Sequence, residues 1–108
     1  MDLDEILRFV EEGQYEFSFH AQQQRLEEDV DVIELEDAIV HRGEILESYP
    51  DDPRGESCLV LGFTVTRPIH AVVGRVRKSD EGHILRIIPV YIPQPPKWVD
   101  ARTRGERS

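Results

Sequence analysis

Cysteine is all but missing from this chain. Cys58 stands alone, so no disulfide forms within the chain, which suits a reducing compartment. Cys58 heads an apolar run and reads as a small buried residue, not as a nucleophile. Long apolar stretches are missing as well, for none approaches the roughly 20 residues that cross a bilayer. The opening Met1-Asp2-Leu3-Asp4-Glu5 lacks the basic start and apolar middle of a secretory leader. A cytoplasmic protein with no membrane attachment is expected. The sequence has no H-x-x-x-H, no paired cysteines and no EF-hand loop, so no metal is expected. It has no Gly-rich phosphate loop and no G-x-S-x-G elbow either, which removes two common routes to catalysis. No cofactor is expected.

Basic residues are scarce in the first half. Met1 to Glu56 holds 18 acidic and 4 basic residues, whereas Ser57 to Ser108 holds 4 acidic and 9 basic. The whole chain has a formal net charge of -9. Nucleic-acid binding is largely phosphate neutralisation, so this balance opposes an avid nucleic-acid binder. The C-terminal half can still present a local basic surface.

The 108 residues suffice for one domain. Leu3, Ile6, Leu7 and Val10 share one face of a helix that Asp2 caps and Gly13 stops. Ser18 can cap a second helix, with Phe19, Leu26 and Val30 as its apolar face. Asp31 with Glu34 opens a third, which buries Ile33, Leu35, Ala38 and Ile39 and ends at Gly43. There the period changes. Ile45, Glu47 and Tyr49 alternate with Glu44, Leu46 and Ser48, as in a strand. Cys58 to Phe63, Ile69 to Val76 and His83 to Ile92 supply three more strands, the last two joined by a turn at Ser79-Asp80-Glu81-Gly82. The expected fold is α+β, with N-terminal helices packed on a four-stranded, mostly antiparallel sheet. The domain spans residues 1–99, and residues 100–108 form a polar mobile tail.

Several side chains can carry chemistry. His20 falls in the first turn of its helix, where the helix terminus favours a neutral imidazole; equally, it can pack at the helix–sheet junction. Arg25 can reach a phosphate, or pair with Glu27, Glu28 or Asp29. His70 and Arg86 each interrupt an apolar strand row. They can meet on the sheet surface, or His70 can be a satisfied core residue and Arg86 can snorkel at an edge. Arg54 lies in Asp51-Asp52-Pro53-Arg54-Gly55, a turn suited to close approach by an anion or to bracing by Asp51 or Asp52. Tyr91 closes the last strand. Trp98 is an apolar lid on the core or a stacking platform for a base.

Taken in order, these residues resemble a known family. They are His20, Ala21 and Arg25; Gly43, Glu44 and Ile45; Tyr49; His70 with Val72 and Val73; and Val90, Tyr91 and Pro93. The chain is similar to the domain-of-unknown-function family DUF4258 from about His20 to Trp98. The resemblance implies a fold like that of the RelE and BrnT toxins, allied to barnase-like ribonucleases. It also implies a toxin–antitoxin setting with an antitoxin protein as partner. In that setting the sheet surface binds RNA, and histidine and arginine side chains assist attack by the ribose 2′-hydroxyl without a cofactor. The family's threonine before Val-Tyr is replaced by Pro89, so a hydroxyl and a backbone donor are lost.

Two readings follow. In the first, a metal-independent endoribonuclease uses His20 or His70 as general base and acid, with Arg54 and Arg86 stabilising the phosphorane. Tyr91 positions a base, and Arg25 and Trp98 help to hold RNA. In the second, the same fold is a non-catalytic interaction module. It binds a partner protein through its acidic helical half or its basic sheet edge, or associates with itself. Convergence of His20, His70, Arg86 and Tyr91 on one open surface would favour the first.

Overall fold

The computed structural model describes residues 1–78 and 82–105. Three helices and five strands run in the order α1 (Leu3–Glu11), β1 (Tyr15–Phe17), α2 (Phe19–Glu27), α3 (Val32–Arg42), β2 (Glu44–Tyr49), β3 (Ser57–Phe63), β4 (Pro68–Arg77) and β5 (His83–Tyr91). The fold is α+β, but the sheet is mixed and has five strands, in the order β1-β5-β4-β3-β2. Strands β2 to β5 form the antiparallel meander expected. The additional strand, β1, pairs in parallel with β5 through Tyr15↔Leu85, Glu16↔Arg86 and Phe17↔Ile87. At three residues it is too short to show an alternating pattern. Of the expected turn at 79–82, residues 79–81 lie outside the described residues, as do tail residues 106–108.

The caps form as the sequence dictates. Asp2 accepts from the Glu5 amide, Ser18 from Ala21, and Asp31 from Glu34, which satisfies an orphan donor at each helix start. Ile6 and Val10 of α1 and Leu35 and Ile39 of α3 meet Cys58, Val60, Ala71, Val73 and Leu85 on one face of the sheet. Each such aliphatic burial stabilises by about 1.5–3 kcal/mol. Gly43 ends α3 because a Cβ there would lie 2.3 Å from the Ile39 carbonyl oxygen.

Helix α2 departs from expectation, and the cause is physical. Ala21 and Arg25 are its buried residues, whereas Phe19 and Leu26 are 86% and 64% exposed. Ile33 at the start of α3 is also outside, 78% exposed. Helix α2 meets the edge of β5 as well as the core. Beyond the short β1, the Ser18 amide donates to the Ile87 carbonyl and the Ser18 hydroxyl to the Ile88 carbonyl. The Val90 amide donates to Gln24 Oε1 at 3.0 Å. A sheet edge presents peptide groups, so the side chains facing it must be polar.

Two bulges reset the side-chain rows. Val73 pairs with Ile87 but Ala71 with Val90, so Ile88 and Pro89 together oppose Val72. A bulge leaves a residue unpaired, which suits a proline without an N–H. Val90 therefore joins Leu85 and Ile87 in the core, and not the row of Arg86. On β2, Ile45 pairs with Val60 and Glu47 with Leu59, so Leu46 is the extra residue. Glu44, Glu47 and Tyr49 then share the face away from the helices.

Candidate functional site

The face of the sheet opposite the helices carries Glu16, Glu44, Glu47, Tyr49, His70, Gly74, Arg86 and Tyr91, by their pairing registers. The segment from Pro93 to Gly105 turns back over one half of it. Where a mobile tail is expected, residues 100–105 are docked. The Arg102 guanidinium contacts Glu44 at 2.6 Å and that of Arg104 contacts Glu47 at 2.7 Å. Trp98 bridges Arg104 in an isolated antiparallel pair. This strap seals a cluster around His70.

His70 is 0% exposed. Its Nε2 lies 2.8 Å from the Ala101 carbonyl oxygen and its Nδ1 3.2 Å from the Tyr91 hydroxyl. A carbonyl only accepts, so Nε2 carries the hydrogen. In the neutral ring Nδ1 then accepts from Tyr91. The Trp98 ring stands edge-on to the imidazole at 4.4 Å, and the Arg104 guanidinium lies over the indole at 4.7 Å. Burial pulls the His70 pKa down from 6.5, and Arg104 adds to this, while the Ala101 bond and Glu47 oppose it. Glu47 is held down to about 2, first by the hydrogen bonds from Arg104 and also by that from the Tyr49 hydroxyl. Burial, with Glu47 beside it, pushes Tyr49 up to about 12. Tyr91 is raised by burial.

The other half of this face is open. A cleft of about 240 Å³ is lined by Ser18, Asp52, Arg54, Gly55, Gly74, Arg75, Val76, Arg86 and Ile88. Two expected site residues, Arg54 and Arg86, thus reach one cleft. Both guanidiniums already face carboxylates: Arg54 braces its turn against Asp52 at 3.3 Å, and Arg86 pairs with Glu16 at 2.9 Å. His70 does not reach this cleft. On β4 it pairs with Tyr91, whereas Arg86 pairs with Gly74, four residues further along.

The remaining expected residues lie elsewhere. His20 is exposed on α2 and lines neither the cleft nor the sealed cluster. Arg25 is only 7% exposed. Its guanidinium donates to the Val30 carbonyl at 2.8 Å and its Nε to Gln22 at 3.0 Å, and it lies over the Phe17 ring. It closes the end of α2 and pairs with none of Glu27, Glu28 or Asp29. Trp98 is 2% exposed and covers His70. Tyr91 and Trp98 also wall a separate hollow of about 270 Å³ with Gln24, Ile92, Gln94 and Lys97. Glu47, Arg102 and Arg104 were not foreseen, and Tyr49 stood out only as part of the family pattern. A glutamate and a tyrosine two apart on a strand already share a face, but the strap contacts leave no local signal.

The family profile described as Domain of unknown function (DUF4258) matches residues 17–92. The chain belongs to the DUF4258 family. Searches of curated proteins and of solved structures returned no match. The DUF4258 match runs from Phe17 in β1 to Ile92 just after β5. It includes His20, Arg25, Arg54, His70, Arg86 and Tyr91, but neither α1 nor the strap. The element that seals His70 therefore lies outside the part of this chain that the DUF4258 profile covers. Among the described residues, no helix is long and apolar enough to cross a membrane. Among them too, no group of three or more His, Cys, Asp or Glu side chains is arranged to hold a metal ion.

Proposed function

We propose that the chain is a non-catalytic protein-interaction module of the DUF4258 family. The observation that carries this reading is the sealing of His70, with both ring nitrogens engaged beneath Trp98. A general acid or base must come within hydrogen-bond reach of its substrate. His70 has no such approach: Tyr91 meets it inside the sealed cluster, while Arg86 lies four residues away in register and His20 is exposed on α2. A protein partner, whether an antitoxin-like chain or a second copy, suits this reading better than RNA does. The net charge of -9 opposes RNA. The lone thiol of Cys58 suits a cytoplasmic setting.

A second reading is kept for one specific observation. Arg54 and Arg86 line one open cleft with the Ser18 hydroxyl, and two guanidiniums suit a phosphodiester. This favours a RelE-like or barnase-like, metal-independent ribonuclease working from the arginine cleft and not from His70. RNA would have to displace Asp52 and Glu16 from the two arginines. The test is incubation with single-stranded and structured RNA, with chelator present, of wild type, Arg86→Ala and His70→Ala. The module reading expects no cleavage by any of the three. Cleavage by wild type that is lost in Arg86→Ala would overturn it.

A further inference from the structure

We infer that the outward face of α2, with the corner that follows it, is a docking surface for a basic amphipathic segment of another protein; this deepens the module reading and rests on it. Phe19 and Leu26 are seven residues apart, two helical turns, and so lie in one stripe about 10 Å long. They are 86% and 64% exposed, and Ile33, in the first turn of α3, is 78% exposed. Isolated exposed apolar residues are ordinary, but two large ones stacked in one helical stripe, with a third exposed at the start of the next helix, are less so.

Folding does not require these side chains. The rotation of α2 is fixed by polar groups on its other side: Ser18 on the Ile88 carbonyl, Gln24 on the Val90 amide and Arg25 on the Val30 carbonyl. Glutamine or lysine at the three apolar positions would serve the fold equally and solubility better.

The charge around the stripe sets the chemistry of the occupant. Residues 27–37 contain seven acidic residues and no cation. Among the described residues, only Glu28, with Arg67 at 3.9 Å, and Asp37, with His41 at 3.4 Å, have ion-pair partners. The complement is a segment with lysine or arginine flanking apolar anchors at helical spacing. A second copy of this chain fits poorly. Arg54, Arg75, Lys78, Arg86, Arg102 and Arg104 are already matched to carboxylates within it, and like faces would set acid against acid.

The experiment selects displayed random peptides of about 20 residues against the whole chain, then measures each winner on wild type and on Leu26→Asn/Ile33→Asn. That variant keeps every charge and touches no core residue, and its urea midpoint checks the fold. The expected winners are basic, carry two apolar residues seven apart, and lose about fivefold or more in affinity on the variant, as truncated anchors do. Winners that bind the folded variant with a smaller loss, through salt-sensitive attraction alone or at another surface, overturn the docking face and leave the module reading standing. Failure to enrich any specific binder overturns both.

Discussion

At the scale of single residues, the fully buried His70 shapes the response to mild acid. In the folded chain it is neutral, its pKa lowered from 6.5 by burial. The unfolded chain takes up a proton near the ordinary value, and the folded chain resists. The stability is thus fully present above pH 6.5 and is lost as pH falls from there through the folded value. Glu47 on β2 and Arg104 on the strap are the charged groups that act on it, with opposite signs. The urea midpoint is therefore expected to fall between about pH 7.5 and 5.5, and His70→Gln is expected to flatten that part of the curve. Glu47 acts lower down. Its pKa is depressed from 4.5 to about 2, so its contribution is present above pH 4.5 and is lost as pH falls to about 2. Arg104 is half exposed, so that contribution is modest. Arg104→Ala is expected to reduce the loss of stability between those two values, measured the same way. At neutral pH, His70→Ala leaves the Ala101 carbonyl and the Tyr91 hydroxyl unpaired and costs about 1–3 kcal/mol by urea denaturation.

At the scale of elements, α2 reverses the usual ranking of helix positions. Gln24→Ala leaves the Val90 amide without its acceptor and is expected to cost about 1–3 kcal/mol. Leu26→Asn on the outer face is expected to stay within about 0.5 kcal/mol of wild type. Equilibrium unfolding of the two variants checks the order, and a larger loss for Leu26→Asn would contradict the account of α2. Gly43→Ala is expected to cost about 1–3 kcal/mol through overpacking against Ile39, visible as a lower melting temperature. The elements that could be read in the sequence are those whose chemistry is local. Asp2, Ser18 and Asp31 each cap a helix, Gly43 marks a change of period, and four strands show as apolar runs. What could not be read depends on distant partners. Tyr15-Glu16-Phe17 becomes a strand only because β5 lies beside it. Phe19 and Leu26 point outward only because a sheet edge takes the other side of α2. Pro89 shifts Val90 to the core face only through a bulge opposite Val72. The expected site suffered likewise: the pairing of His70 with Tyr91 is a matter of register, and nothing near either residue announces a strap arriving from Trp98 to Arg104.

At the scale of the whole molecule, two kinds of cover protect one sheet. The helices bury one face with aliphatic side chains, whereas the strap covers half of the other with one indole, two ion pairs and a few backbone bonds. These need not be lost together. The Val99 and Gly105 amides, bonded within the strap to Thr103 and Lys97, are expected to exchange with solvent faster than those of Cys58 to Leu61 in β3. Trp98→Ala is expected to speed strap exchange further and leave β3 slow. Equal acceleration in both regions would mean that strap and sheet unfold as one unit. The uneven charge is also a property of the whole, since an acidic helical half lies beside a sheet whose cations are largely paired internally.

Trp98 is the sole tryptophan of the chain, and it stands between the His70 imidazole and the Arg104 guanidinium. Its indole is therefore an optical gauge placed where the strap closes. With the strap shut, emission is that of a dry indole beside a neutral ring. Once the strap lifts, water reaches the indole and the band moves to longer wavelength. Protonation of the imidazole without lifting would dim the band while the indole stays dry. Colour and brightness of one residue thus separate two events that a stability curve merges, with no label added.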